Sequence, residues 1–157
     1  MTRDIQGALD GGGLRIGVVV ARFNELITSR LLEGARAGLT RQGVADGHVT
    51  VVRVPGSFEV PVAAKALAES GGYDAVICLG AVIRGETDHY EHIAGQAAKG
   101  IADVSLSTGV PVAFGVLTTD TVEQAIERSG GSKGNAGQNA ALVAIEMANL
   151  LRTLASG

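Results

Sequence analysis

The chain has 157 residues, 46% hydrophobic and 18% charged, which suits one domain with its own core and excludes a disordered chain. Lys plus Arg is 13 against 16 Asp plus Glu, a formal charge of −3 that argues against a dedicated nucleic-acid binder, which usually shows a basic face. One cysteine, Cys78, excludes an internal disulfide and fits a reducing compartment.

Residues Met1 to Leu14 carry Gly11-Gly12-Gly13 and few apolar side chains, so 1–14 reads as an extended arm and 15–157 as a single α/β domain. The arm has no apolar run of the signal-peptide kind. RIGVVVA, Arg15 to Ala21, is a β-branched run of strand length. Asn24 then predicts a helix N-cap, with Leu26, Ile27, Leu31, Ala35 and Leu39 at helical spacing and Gly43 as the stop. Val49 to Val54 is a second strand, ended by Pro55-Gly56, and a helix follows through Val60, Ala64, Leu67 and Ala68.

Ala75 to Ile83 is the most apolar stretch; it wants cover on both faces and is too short for the roughly 20 residues of a membrane span. The chain is therefore expected to be soluble and cytoplasmic. A helix from about His89 to Ser107 places Ile93, Ala97, Ile101 and Val104 on one face. Val112 to Leu117 is a fourth strand and Thr121 to Ser129 a short helix. Ser129 to Gly137 reads as a glycine-rich loop, and a last helix carries Ala140, Val143, Met147, Leu150 and Leu154. Four alternations of strand and helix predict a parallel sheet with right-handed crossovers; the strand order is not legible in the pattern.

In open parallel sheets, ligands bind beyond the carboxyl ends of the strands. Here those ends read ARFNE, VPGSFE, GAVIRGETDHYEH and LTTDT, and they hold two of the three His and two of the three Phe residues. Gly85-Glu86-Thr87-Asp88-His89 runs from a strand into a helix, where backbone N–H groups can bind phosphate, or where Thr87 or Asp88 can simply cap. His89 is a candidate for proton transfer, the usual task of an imidazole in a site. With His92, Glu86, Asp88 and Glu91 it also resembles a metal cluster, or a solvated surface, but no HExxH signature is present. Phe23, Phe58 and Phe114 suit a planar heteroaromatic ligand, or plug the sheet. Asn24, Ser57 and Glu59 offer amide- and hydroxyl-binding groups. Arg128 and Lys133 are candidate phosphate ligands, although a helix-end Arg also suits the helix dipole.

The segments ARFNELIT, VPGSFEVP, CLGAVIRGETDHYEHI, PVAFGVLTTDTVEQAIER and AIEMANL make the chain closely resemble the 6,7-dimethyl-8-ribityllumazine synthase family, from about Arg15 to Leu151. The resemblance implies a flavodoxin-like three-layer α/β/α sandwich on a four-stranded parallel sheet. It implies a transferase of riboflavin biosynthesis. The family condenses 5-amino-6-(D-ribitylamino)uracil with L-3,4-dihydroxy-2-butanone 4-phosphate, giving the lumazine, phosphate and water, without metal or organic cofactor. By motif, Phe23 would stack on the pyrimidine, and Ser57, Phe58 and Glu59 would bind the ribityl side. Ala81, Val82 and Ile83 would line the ring pocket, Gly85, Glu86 and Thr87 would hold the phosphate substrate, and His89 would donate protons. Phe114 and Arg128 match residues that a neighbouring subunit contributes.

The resemblance further implies a homopentamer, with a 60-subunit icosahedral capsid suggested by the short Gly130 to Gly137 loop. It departs at Ala136, where many relatives carry a lysine near the substrate phosphate; the loop's own lysine is Lys133, three residues earlier. Two other classes share parts of the pattern. A flavin-binding electron carrier would want a Ser/Thr-rich phosphate loop where this chain has Ala21-Arg22-Phe23-Asn24. A metal-dependent hydrolase would use His89 and His92.

Overall fold

Side chains alternate faces along a strand, and the two inner strands of this chain are apolar on both faces. The computed structural model describes residues 1–157. Strands β1 (Ile16–Ala21), β2 (Val49–Val54), β3 (Ala75–Ile83) and β4 (Val112–Thr119) form one parallel sheet in the order β2-β1-β3-β4. Helices α1 (Glu25–Arg41) and α5 (Ala136–Ala155) pack together, and α2 (Val60–Glu69) packs with α3 (His89–Thr108). Ile16, Val18 and Val20 of β1 and Ile77 and Leu79 of β3 point into a core with Leu31, Leu39 and Ile145. Val19, Val76 and Cys78 point the other way, against Val60, Ala64, Ile101 and Val104. The result is the expected three-layer α/β/α, flavodoxin-like sandwich.

The order resolves what the pattern left open. From β1 the chain steps to β2 on one side, then returns past β1 to build β3 and β4 on the other. The β1/β3 boundary is thus a topological switch point, and loops diverge there at the carboxyl ends to leave a crevice.

Three details differ from the sequence reading. Leu26 is exposed, while Ile27, Leu31, Ala35 and Leu39 form the buried stripe of α1. Residues 1–14 form neither helix nor strand, but part of the arm is anchored on its own chain. Asn149 donates from Nδ2 to the carbonyls of Ala8 and Asp10 at 2.7 and 2.8 Å, and Leu14 is fully buried. Gly7 lies so close to the α5 backbone at Glu146 that a Cβ there would collide with it. Finally, Ser129 to Gly137 is more ordered than a loop. After the short α4 (Val122–Glu127), β5 (Ser129–Gly131) and β6 (Gly134–Asn135) make a small antiparallel hairpin, and α5 starts at Ala136 because Asn135 caps it, accepting from the Gln138 N–H at 3.0 Å. No helix is long and apolar enough to cross a membrane.

Candidate active site

A cleft of about 670 Å³ opens at the switch point, above the carboxyl ends of β1, β2 and β3. Its size lies within the roughly 300–1,000 Å³ usual for small-molecule sites. Phe23 and Asn24 enter it after β1, and Pro55, Gly56, Ser57, Phe58 and Glu59 after β2. Ala81, Val82 and Ile83 are the end of β3, and Gly85, Thr87, His89, Tyr90 and Ile93 come from the following loop and α3.

Backbone bonds hold the first two loops together. The Arg22 N–H donates to the Val54 carbonyl at 2.8 Å and the Phe23 N–H to that of Pro55 at 3.0 Å. Asn24 is the only residue besides glycine with positive φ, at 63°. Its side chain does not cap α1. Instead Nδ2 donates to the Ala81 carbonyl at 2.8 Å, while the Asn24 carbonyl accepts from the N–H groups of Ile27 and Thr28 at 3.0 Å. The amide therefore ties the β1 turn to the end of β3. Phe23 is 72% exposed and Phe58 54%, so neither plugs the sheet; both are open to stacking. Ser57 is buried because β3 carries Gly80 beneath it: a Cβ at Gly80 would sit 2.5 Å from the Ser57 Oγ.

The fourth side of the cleft is the entry to α3. Asp88 occupies the N-cap position without a side-chain cap, and the His89 N–H donates instead to Thr87 Oγ1 at 3.3 Å. Arg84 leaves β3 beside this turn and donates from Nε to Asp120 Oδ1 at 2.8 Å; that hydrogen bond raises the guanidinium pKa further. His89 lines the cleft and is exposed, within reach of a bound molecule. Nowhere in the chain do three His, Cys, Asp or Glu side chains group so as to hold a metal ion, the His89–His92 region included.

A family model described as 6,7-dimethyl-8-ribityllumazine synthase matches residues 13–152, from the end of the arm through most of α5. The chain belongs to the 6,7-dimethyl-8-ribityllumazine synthase family. It is an enzyme with that family's transferase activity, the condensation that forms the lumazine.

Against this family background, the cleft gathers most of the residues expected from the motifs and leaves out three. Glu86 is exposed and does not line it. Phe114 pairs with Cys78 in mid-sheet, three residues before the Leu117 that faces Ala81, so it lies roughly 10 Å below the cleft floor at 3.3 Å per residue. Arg128 closes α4, where Nη1 donates to the Gln124 carbonyl at 3.2 Å and lies 3.5 Å from Glu127 Oε2. Neither Phe114 nor Arg128 reaches the cleft of its own chain, although each is partly exposed.

Pro55, Gly56, Tyr90 and Ile93 also line the cleft, although Pro55-Gly56 reads in the sequence only as a strand end, Ile93 only as part of an apolar helix face, and Tyr90 carries no expectation. Helical spacing carries the signal for two of them: Ile93 stands four residues after His89 and three after Tyr90, so one face of the first turns of α3 looks into the cleft.

Proposed function

We propose that this cleft is the pyrimidine-binding half of the lumazine synthase site. Phe23 stacks on the pyrimidine, while Ser57, Phe58 and Glu59 hold the ribityl chain. Ala81, Val82 and Ile83 meet the ring largely through backbone groups. Asn24 shapes this pocket through Ala81 as well as lining it. Gly85 and Thr87, with Glu86 exposed beside them at the entry to α3, receive the butanone phosphate, and His89 moves protons. A neighbouring subunit supplies Phe114 and Arg128. The observation that carries this reading is the convergence of Phe23, Ser57, Glu59, Ala81 and His89 from four separate segments on one cleft, with Phe114 and Arg128 left outside it.

The chemistry asks little of the protein beyond placement. The arylamine adds to the ketone and loses water to give an imine; phosphate then leaves, and the second nitrogen closes the ring with loss of water. No protein nucleophile is required. Holding two reactants in register is worth up to about 7–11 kcal/mol in ideal cases. A positioned His89 adds on the order of 10²–10⁴-fold by proton transfer.

The assembly is a ring, a homopentamer at minimum, in which each cleft is completed by the next copy. Supporting this, Leu106, Phe114 and Val143 are exposed apolar side chains, and Val143 borders a small hollow of about 180 Å³ between α3, β4 and α5. Exposed apolar side chains suit a contact surface, and β4 is an edge strand with an unpaired backbone. Head-to-tail contacts close into rings. A 60-subunit shell is the larger form compatible with the short hairpin loop. The enzyme works in the cytoplasm on small molecules, without nucleic-acid or membrane partners.

Chelator-treated protein mixed with both substrates should release phosphate and form fluorescent lumazine above the spontaneous rate. His89→Ala should slow turnover by about 10²–10⁴-fold without abolishing it, and pyrimidine binding should largely survive. His92, which does not line the cleft, should matter far less. A requirement for added metal, or equal and total loss in both variants, would overturn this reading.

A further inference from the structure

One side chain links the turn that delivers His89 to the far edge of the sheet. Arg84 follows β3, and its N–H donates to the Thr119 carbonyl at the end of β4, 2.9 Å away. Its guanidinium Nε donates to Asp120 Oδ1 at 2.8 Å, Nη1 lies 3.7 Å from Glu91 Oε1, and the guanidinium carbon stands 4.6 Å from the centre of the Tyr90 ring. Tyr90 is a wall of the cleft and Glu91 belongs to the first turn of α3. One planar fork therefore touches both residues that follow His89 and the residue that follows β4.

Tyr90 and Ile93, just beyond the turn, pack against the core beneath α2 and α3, but the turn itself has few other contacts. Arg84 to His89 are all exposed, no side chain caps the N-cap position of α3, and the Thr87 contact to the His89 N–H is long, at 3.3 Å. Asp120 is itself anchored: its N–H donates to Gln124 Oε1 at 2.8 Å, and Thr121 caps α4 by accepting from the Gln124 N–H at 3.1 Å. The rigid partner is thus the β4–α4 corner, and the part being held is the entry to α3.

We infer that Arg84 is a positioning residue: it pins the Tyr90 ring and the first turn of α3 against the β4–α4 corner, and so fixes where His89 stands in the cleft. The inference rests on the proposed role of that cleft. Arg suits the task because its planar group stacks on an aromatic face and donates to a carboxylate at once, which a lysine ammonium cannot do in the same geometry.

The decisive comparison is steady-state kinetics of Arg84→Met, Arg84→Lys and Asp120→Asn against the wild-type assembly, with His89→Ala and Phe23→Ala as controls. A misplacement of 1 Å can cost about 100-fold in rate. Arg84→Met should accordingly lower kcat by about 10- to 100-fold, with KM for both substrates within about threefold of wild type. Its Tm should stay within about 4 °C, because exposed ion pairs contribute little to stability. Arg84→Lys should recover only part of the rate, and Asp120→Asn should lower kcat in the same direction with the stack still present. Asp120→Asn carries the test alone if Arg84→Met does not fold. An unchanged kcat in both variants overturns the inference. A rise confined to KM for the butanone phosphate also overturns it, since Arg84 would then be a substrate ligand. If His89→Ala and Phe23→Ala also leave turnover intact, the reading of the cleft fails with it; if those two are impaired and the Arg84 and Asp120 variants are not, only the positioning role fails.

Discussion

Arg128 and Lys133 are the two cations whose roles the local sequence leaves open, and the backbone brings them to one corner. The Lys133 N–H donates to the Glu127 carbonyl at 2.8 Å, and the Ala136 N–H to that of Arg128 at 2.9 Å, so the hairpin folds back on the end of α4. Lys133 sits at the exposed tip, whereas Arg128 is held by Gln124 and Glu127. A pre-held guanidinium loses less freedom on gripping phosphate than a free lysine does. Arg128→Ala should therefore weaken butanone phosphate binding by roughly 10- to 150-fold, the equivalent of about 1.5–3 kcal/mol for a charged hydrogen bond, and barely change pyrimidine binding. Titration of both variants with each substrate checks this; an equal loss in Lys133→Ala would show that the hairpin lysine has the larger share. Asn24 marks what residue type alone could not tell. Its place before α1 was legible, but its amide bonds to Ala81, 57 residues away, and only the folded sheet brings the two together.

At the scale of elements, legibility followed burial. β3 runs from Ala75 to Ile83 as its apolar stretch predicted, because both faces are covered and the composition has no polar interruption. The hairpin at Ser129–Asn135 was hidden because its signal is not periodic. It is held by single side chains: Arg30 Nε donates to the Ser129 carbonyl at 3.1 Å, and Asn135 Nδ2 to the Arg30 carbonyl at 3.1 Å. The 3-10 turn at Ser57–Glu59 was equally hidden, as it depends on Gly80 making room in another strand. Cys78 reports on the order of β3. It is fully buried, and that burial pushes its thiol from 9.0 up to about 12. Between those values the folded protein keeps a proton that the unfolded chain has lost, so this group's contribution to stability falls as pH rises through the window. Near pH 8 an aromatic disulfide reagent should leave the native thiol untouched and modify it fully in denaturant. Rapid labelling of the native protein would contradict the packing of the sheet described above.

For the whole molecule, strand order was the missing quantity. The alternating pattern predicted layers and crossovers, but only long-range pairing decides that β1 lies between β2 and β3 and that β4 is an edge. That order puts the cleft at the β1/β3 boundary and leaves Phe114 on the edge strand, away from it. The motifs pointed to the site residues one by one; the split between those that converge and those that do not became visible only in three dimensions. The split is also what the proposed shared site rests on, since Arg128 does not line the cleft that His89 of the same chain lines.

Complementation between two damaged proteins tests that shared site most directly. His89→Ala and Arg128→Ala, each strongly impaired alone, are refolded together in equal amounts and assayed for lumazine formation. With random mixing, about one quarter of the interfaces in a ring join an intact His89 to an intact Arg128, since each side is chosen independently from two. Activity should rise well above the mean of the separate variants, towards about a quarter of wild type. No recovery in assemblies proven by mass to contain both chains, or full activity in an isolated monomer, would contradict it.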